Sequence, residues 1–203
     1  MDVTQSYEGT IARTLYTREA IAQAIARLGR EIAADHRGQP LMLLGVLKGA
    51  LFVVSDLARA IAAVPDGPSE IIVDYLCVSS YGNATRSSGE VRMLKDASEP
   101  VTGRNVVIVE DIVDNGLTLQ YLHALLGERR PARLRSCVLF DKPYHRRVDV
   151  PVEYVGLQSP DEFVVGYGLD YQELFRNLPY LAQLNDAVFS EPESPATAQK
   201  VNS

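Results

Sequence analysis

Two adjacent carboxylates, Glu110 and Asp111, follow the apolar run 106–109, and a third carboxylate, Asp114, comes three residues later. The apolar run is typical of a strand that is buried on both faces. Like charges at the end of such a strand cost free energy unless a ligand or a partner compensates them. Their oxygen atoms can accept hydrogen bonds from sugar hydroxyls or bind a divalent cation such as Mg²⁺.

The residues after these carboxylates are typical of a turn that leads into a helix. Asn115 and Gly116 favour a tight turn, and a helix is predicted over 117–126. A turn at a helix N-terminus presents free backbone N–H groups and a partial positive charge, which bind anions. Thr118 can add a hydroxyl donor. The segment is a candidate phosphate site, and an ordinary connection with Asp114 as N-cap has the same local pattern.

The elements that must position these residues alternate between strands and helices. Thr17 is expected to cap a helix that extends to about His36, and another helix is predicted over 49–63. Strands are predicted over 41–46, 70–78, 105–109, 134–140, 152–157 and 163–165. This alternation predicts an α/β fold with a doubly wound, mainly parallel sheet. Ligands bind such sheets outside the carboxyl ends of the strands, where the strand order reverses.

Composition limits the possible classes of protein. The chain has 203 residues, of which 46% are hydrophobic, and this suffices for one packed domain. Twenty Lys and Arg against 26 Asp and Glu give a net charge of −6, which disfavours binding to nucleic acid. The sequence shows no secretory signal and no apolar run near the length of a membrane helix, so a cytoplasmic protein is expected. Cys77 and Cys137 lie in apolar runs and are expected to be reduced.

Two segments stand apart from the predicted core. Residues 79–96 are polar, contain Gly82 and Gly89 and lack helical periodicity, so we predict a flexible loop there, called the lid segment below. Residues 190–203 form a polar tail that is expected to be disordered. One domain over residues 1–189 accounts for the rest.

The segment 107–119, Val-Ile-Val-Glu-Asp-Ile-Val-Asp-Asn-Gly-Leu-Thr-Leu, closely resembles the phosphoribosyl-diphosphate-binding signature of type I phosphoribosyltransferases. More narrowly, the chain is similar to bacterial hypoxanthine-guanine phosphoribosyltransferases from about Ile11 to Leu184. Five further stretches carry this resemblance in order: 45–49, 78–82, 87–89, 140–143 and 161–171. It implies the type I fold, with a small hood subdomain and a flexible lid over the active site.

The resemblance also implies an activity. A 6-oxopurine would react with phosphoribosyl diphosphate to give a purine nucleotide and pyrophosphate, with Mg²⁺ as cofactor. A homodimer or homotetramer is implied, without a nucleic-acid or membrane partner. The family geometry includes a non-proline cis peptide, which is expected here between Leu47 and Lys48.

Roles follow by matching residues to the family motifs. Asp114 is implied as the general acid/base. The ribose and 5′-phosphate would be held by Glu110, Asp111, Asn115, Gly116, Leu117 and Thr118. The base would be bound by Lys142, Phe163 and Val164. Pyrophosphate would be bound by Lys48, Gly49 and Arg176. The lid residues would be Ser80 and Tyr81. The metal ligands would be Glu110, Asp111 and Asp170.

Two of these positions carry a physical argument of their own. The Lys142 ammonium has donors and no acceptor, so it favours a 6-oxo over a 6-amino purine. Asn115 departs from the family, which usually has Thr there. Asn keeps the backbone N–H and adds an amide, but its shape differs from that of Thr.

Two other functions fit parts of the sequence. An RNA-binding attenuator of the same fold could use an arginine cluster for phosphate contacts. The arginines concerned are Arg129, Arg130, Arg133, Arg135, Arg146 and Arg147. A receiver-like phosphoacceptor module would also place Asp111 at a strand end, but it would leave Lys48, Gly49 and the lid segment without a role.

Overall fold

The computed structural model describes residue 7 and residues 9–81 and 90–190 of the chain. Its strands and helices, in chain order, are β1 (Ile11–Tyr16), α1 (Arg18–Asp35), β2 (Pro40–Leu47), α2 (Ala50–Ala62), β3 (Glu70–Tyr81), β4 (Glu90–Lys95), β5 (Asn105–Val113), α3 (Leu117–Gly127), β6 (Arg133–Asp141), β7 (Tyr154–Gln158), β8 (Val164–Val165), β9 (Leu181–Leu184) and α4 (Ala187–Ser190). None of the helices in these residues is long and apolar enough to cross a membrane.

A six-stranded sheet forms the centre of the fold, in the order β4-β3-β2-β5-β6-β7. Strand pairs from β3 to β7 are parallel, and β4 runs antiparallel to β3. The chain moves from β2 to β3 on one side and later returns to β5 on the other side of β2. The order therefore reverses between β2 and β5, and their carboxyl ends border the crevice in which such folds bind ligands. The predicted α/β fold with a doubly wound, mainly parallel sheet is confirmed.

Strand β5 is apolar throughout its first half because both faces of the sheet are covered. Val107 and Val109 pack in the cluster that contains α1 and α2. Val106 and Ile108 pack on the other face, in the cluster that contains α3. Side chains alternate across a strand, so this pattern sets which face each later residue of β5 points to.

Helix α1 has the predicted start and end. The Thr17 hydroxyl accepts a hydrogen bond from the Ala20 N–H at 3.3 Å, and His36 is the C-cap. A Cβ added at Gly29 would lie 2.8 Å from the Ala60 Cβ, so glycine allows α1 to pack closely against α2. The two helices cover the face of the sheet on which Val107 and Val109 lie.

A second, antiparallel sheet forms the hood expected from the resemblance: β1, β9 and β8 pair in that order. Its strands come from both ends of the described chain, and a small apolar cluster that includes Val165, Phe175 and Ala182 packs against it. Strands β1 and β9 are short, with little regular alternation, and neither was predicted from the sequence.

The lid segment is more regular than the predicted loop. Strand β3 continues through Tyr81, and β4 pairs with it from Glu90, so both ends of the segment are strands. Met93 packs against the core on the α3 face, and together with Val91 it gives β4 a period of two. Residues 82–89, with the predicted glycines, lie outside the described residues, as do residues 191–203 of the predicted tail.

Candidate active site

The two adjacent carboxylates of β5 leave the strand on opposite faces. Glu110 follows Val106 and Ile108 onto the α3 face, is 6% exposed and lines a cavity at the end of the strand. Burial, together with the neighbouring charge of Asp111, raises the pKa of Glu110 to about 8. Its Oε1 atom is buried and has no hydrogen-bond partner among the described residues. Such an atom needs a ligand or a proton to offset its lost hydration.

Asp111 points to the other face, toward the turn between β2 and α2. Its Oδ1 accepts a hydrogen bond from the Ile112 N–H at 2.9 Å. A Cβ at Gly49 would lie 1.7 Å from Asp111 Oδ2, so only glycine allows this turn to approach the carboxylate. Burial raises the pKa of Asp111 to about 6, against the opposing effect of backbone hydrogen bonds.

Residues 114–118, the phosphate loop, connect β5 to α3 and line the cavity that Glu110 enters. The cavity has a volume of about 170 Å³. Gly116 has a φ of 84°, a left-handed conformation in which a side chain is strained, and a Cβ there would lie 3.1 Å from Val148. The first i to i−4 bond of the helix runs from the Gln120 N–H to the Gly116 carbonyl. The N–H groups of Thr118 and Leu119 precede it and have no carbonyl of the helix to bind.

The Asn115 side chain closes a tight turn just before this helix, whose N-cap is Gly116. Its Oδ1 accepts a hydrogen bond from the Leu117 N–H at 2.9 Å. The amide therefore occupies one of the donors that an anion at the helix N-terminus would use, while the N–H groups of Thr118 and Leu119 precede the first helical bond.

A second group of charges lies across the crevice, near Asp111. The peptide between Leu47 and Lys48 is cis, as the resemblance implies. Lys48 Nζ lies 2.9 Å from Glu173 Oε2, and Arg176 Nη2 lies 2.7 Å from Asp170 Oδ1. Arg176 also donates to the Gly168 carbonyl, at 2.8 Å.

The hood loop that carries these charges packs directly on the turn after β2. A Cβ at Gly168 would lie 2.1 Å from the Gly49 carbonyl oxygen. The charges of Arg176 and Asp170 act on Asp111, lowering and raising its pKa respectively. These contacts bring together most of the predicted pyrophosphate and metal residues: Lys48, Gly49, Asp111, Asp170 and Arg176. Glu110, also predicted as a metal ligand, is not among them, because it leaves β5 on the opposite face.

The predicted base-binding residues come from the segment after β6 and the segment before β8. Lys142 Nζ donates to the Glu162 carbonyl at 3.0 Å, and its side chain is 12% exposed. The Phe163 ring is exposed and makes T-shaped contacts with the rings of Tyr171 and Phe189. Val164 is buried in β8, where its backbone can present polar groups while its side chain stays in the core.

Asp114 is the first residue of the phosphate loop, and its side chain contacts the turn that follows Lys142. Its side chain is about half exposed, and its Oδ1 lies 3.1 Å from His145 Nδ1. The other ring nitrogen, His145 Nε2, lies 2.8 Å from Asp161 Oδ1.

Residues 12–172 match the family model described as the phosphoribosyl transferase domain. The chain belongs to this family. It is 47% identical over 191 residues to hypoxanthine-guanine phosphoribosyltransferase of Mycobacterium avium, with 91% of each chain covered. The enzyme of that name from Bacillus subtilis is 42% identical over 179 residues, which are 88% of this chain and 96% of that protein. A crystal structure of hypoxanthine phosphoribosyltransferase from Staphylococcus aureus gives a TM-score of 0.84 at 39% identity and covers 94% of this chain and all of that one.

In this phosphoribosyl transferase, sequence reasoning missed two residues that contact Asp114 from the segment after β6. His145 and Arg146 lie beyond the recognised stretch 140–143, and no motif marks them. Arg146 is half-buried and donates to the Asp114 carbonyl and to Asp141 Oδ1, at 2.8 and 2.6 Å. The signal that was available is proximity along the chain, since both residues follow a strand whose end lies at the crevice.

Two predictions for this phosphoribosyl transferase remain predictions. The side chains of Ser80 and Tyr81 lie outside the described residues. Within residues 9–81 and 90–190, no group of three His, Cys, Asp or Glu side chains is arranged to hold a metal. Magnesium commonly uses one or two carboxylates together with water and substrate phosphates, so the pair Asp111 and Asp170 is compatible with the predicted site.

Proposed function

We propose that the protein is a purine-salvage phosphoribosyltransferase, which converts hypoxanthine or guanine and 5-phosphoribosyl 1-diphosphate into IMP or GMP and pyrophosphate. The observation that carries this proposal is the cavity at the end of β5. It combines the buried carboxylate of Glu110 with the phosphate loop and the N-terminus of α3. A phosphorylated sugar needs both features, because its hydroxyls are donors and its phosphate is an acceptor.

Each end of phosphoribosyl diphosphate has a matching partner in this proposal. The 5′-phosphate would bind the phosphate loop, through backbone N–H groups and the Thr118 hydroxyl. The ribose hydroxyls would donate to Glu110 and Asp111. The pyrophosphate would meet Lys48, the Gly49 backbone and Arg176, whose present acidic partners, Glu173 and Asp170, give way to phosphate oxygens or metal.

The purine would lie beside Lys142, with Phe163 stacked on its face and the Val164 backbone at its edge. An ammonium offers donors only, so it rewards the carbonyl of a 6-oxopurine and opposes the amino group of adenine. The largely buried position of the Lys142 side chain supports this role, because a shielded charge discriminates more strongly than a solvated one.

Asp114 would exchange a proton with the imidazole edge of the purine as the general acid/base. Its carboxylate begins the phosphate loop and contacts His145, whose ring also contacts Asp161 near the base-binding residues. From there it would reach the base while the sugar phosphate is bound. The remaining catalysis would come from alignment of base and sugar and from neutralisation of the departing pyrophosphate.

Magnesium would be held by Asp170 and Asp111, whose carboxylate oxygens suit this ion. Glu110 leaves the strand on the opposite face, so in this proposal it binds the ribose and not the metal. When bound, Mg²⁺ neutralises the pyrophosphate; Lys48 and Arg176 would bind the oxygens that it leaves free.

We also propose a cytoplasmic homo-oligomer, a dimer or a tetramer. Leu51 and Phe52 on α2, and Leu174 on the hood loop, are large apolar side chains that are exposed in the single chain, and a second copy would cover them. Cys77 and Cys137 are both free thiols, which supports a reducing compartment.

Binding of RNA as an attenuator is a weaker alternative. Arg129 forms two hydrogen bonds with Asp96, Arg135 pairs with Asp35, and Arg146 pairs with Asp141. Three of the six arginines that would contact RNA phosphates are thus paired with carboxylates of the protein.

An assay with four purines tests the proposed function. Purified protein is incubated with phosphoribosyl diphosphate, Mg²⁺ and hypoxanthine, guanine, xanthine or adenine, and nucleotide formation is followed by absorbance. We expect turnover of hypoxanthine or guanine and little of adenine. Tight, salt-sensitive RNA binding without nucleotide formation would instead support the attenuator.

A further inference from the structure

We propose that His145 is a positioning residue, which holds the Asp114 carboxylate in the orientation needed for proton transfer with the purine. This inference rests on the proposed function, because it concerns the same acid/base group. No recognised motif includes His145.

The contacts of the imidazole ring carry the proposal. Its Nδ1 atom lies 3.1 Å from Asp114 Oδ1, and its Nε2 atom lies 2.8 Å from Asp161 Oδ1. Lys142 Nζ approaches the same Asp161 oxygen at 3.7 Å. One ring therefore connects the proposed acid/base to the segment that binds the base.

Asp114 needs such a partner because its own side chain is loosely held. It is 47% exposed, and among the described residues His145 is the one side chain that pairs with its carboxylate. A carboxylate of this kind can rotate, and a catalytic group that rotates loses rate through misorientation. The 3.1 Å contact between His145 Nδ1 and Asp114 Oδ1 restricts this rotation.

The backbone around His145 is itself fixed relative to Asp114. The ring belongs to a short 3₁₀ turn, Pro143–His145. The next residue, Arg146, donates to the Asp114 carbonyl at 2.8 Å, and the Arg147 N–H donates to the Asn115 carbonyl at 3.0 Å. Two hydrogen bonds therefore join the residues after this turn to the start of the phosphate loop. They fix the backbone that carries the His145 ring relative to Asp114.

Hydrogen-bond chemistry defines what the ring must supply. A neutral imidazole carries one N–H and can donate to one of the two carboxylates, whereas an imidazolium donates to both. In either form, holding Asp114 requires the proton on Nδ1. A side chain that presents a donor at the Nδ1 position should therefore replace His145, and one that presents it at the Nε2 position should not.

Three substitutions test the proposal by steady-state kinetics. His145→Asn places its amide donor near the Nδ1 position, His145→Gln places it near the Nε2 position, and His145→Ala removes both. We expect kcat to fall about 10- to 100-fold in His145→Ala, the size of a lost orientation effect, with the KM for phosphoribosyl diphosphate within about twofold of wild type. His145→Asn should recover most of kcat, and His145→Gln should resemble His145→Ala.

Tyr144→Ala is the matched control, since it removes a ring from the same turn at a position that is 72% exposed. It should keep wild-type kcat, and all variants should keep the wild-type melting temperature. Full kcat in His145→Ala, better recovery by Gln than by Asn, or a raised KM for phosphoribosyl diphosphate as the main effect would each overturn the inference. An inactive wild-type protein would overturn the proposed function and this inference with it, so the two failures are distinguishable.

Discussion

Glu110 and Asp111 are adjacent at the end of β5, but their side chains point to opposite faces of the sheet. Because successive side chains of β5 alternate, Glu110 enters the cavity beside α3 and Asp111 faces the turn at Gly49. In the free protein burial raises the pKa of both carboxyls. Hydroxyl donors and Mg²⁺ favour ionised carboxylates, so under the proposed function substrate binding would compensate the buried charges of Glu110 and Asp111.

Replacing Asp114 by Asn separates its chemistry from its place in the loop. The amide oxygen can still accept from His145 Nδ1, and the backbone N–H groups of the phosphate loop are unaffected. The proton-transfer function is lost, so kcat should fall by about 10²- to 10⁴-fold, the usual contribution of a general acid/base. Calorimetry should show phosphoribosyl diphosphate binding close to wild type. A variant with full kcat would remove Asp114 from the chemistry.

Lys142→Gln tests the origin of the preference for 6-oxopurines. The amide offers an acceptor as well as donors, so it can meet either an oxo or an amino group. A lost charged hydrogen bond is worth about 1.5–3 kcal/mol, so kcat/KM for hypoxanthine should fall about 10- to 100-fold. Activity with adenine should fall less or rise, so the ratio of the two specificity constants measures the effect. An unchanged ratio would show that Lys142 does not discriminate between them.

At the residue scale, the sequence predicts side chains that a motif carries and misses those that only the fold brings together. Glu110, Asp114 and Thr118 lie in one continuous segment, so a short pattern is enough to find them. His145 meets Asp114 across 31 positions of the chain, and this contact depends on β5 and β6 being neighbours. The hydrogen bond that Leu117 N–H donates to Asn115 Oδ1 is likewise set by the loop's backbone geometry.

The turn after β2 illustrates how one element constrains another. At Gly49 the backbone is helical, with φ −60° and ψ −41°, so alanine is compatible with the conformation itself. The added Cβ would nevertheless overlap Asp111 Oδ2, at 1.7 Å. Gly49→Ala must therefore displace the turn or the carboxylate, and we expect about a 10²-fold loss of kcat/KM, comparable to a 1 Å misplacement.

Gly127→Ala is the matched control for that substitution. Gly127 ends α3, and a Cβ there would have no heavy atom within 4 Å among its described surroundings. Its activity should equal that of wild type, and the free energy of unfolding should be unchanged or higher by up to about 1 kcal/mol, since alanine loses less backbone entropy than glycine. Equal activity losses in both variants would show that the effect at position 49 is unspecific.

The elements that could be predicted are those with a strong local pattern. Strands β2 and β5 are solid apolar runs, and α1 has a capping Thr17 and a helical repeat, so each was found within a few residues. The hood strands β1 and β9 have no such pattern. Both are short, and they pair with each other from opposite ends of the described chain. Their stability comes from tertiary pairing, which a local reading of sequence does not contain.

For the molecule as a whole, the net charge of −6 is compatible with polyphosphate substrates, because the cations at the crevice matter more than the total charge. Some arginines away from the crevice are paired with aspartates, among them Arg129 with Asp96 and Arg135 with Asp35. Lys48 and Arg176 are also paired, with acidic side chains of the hood loop that a metal and pyrophosphate would engage. Local placement therefore decides what the protein binds, and the overall acidity disfavours long polyanions.

His36 should make the stability of the whole protein sensitive to acid. The side chain is fully buried at the C-terminus of α1, with Nδ1 bonded to the Ile32 carbonyl at 2.9 Å and Nε2 without a partner among the described residues. Burial lowers its pKa below the model-peptide value of 6.5. The unfolded chain therefore binds a proton that the folded chain resists, and the free energy of unfolding should fall as the pH drops below about 7.

His36→Asn keeps a donor for the Ile32 carbonyl and cannot titrate. Urea unfolding between pH 5 and 7.5 should give a flatter dependence for this variant, by at most about 1.4 kcal/mol per pH unit, the slope of one proton. Its kcat at pH 7.5 should match wild type, because His36 precedes the amino end of β2 and the crevice lies at the other end of that strand. Parallel curves for the two proteins would show that another group causes the acid sensitivity, since the substitution removes the His36 proton from the balance.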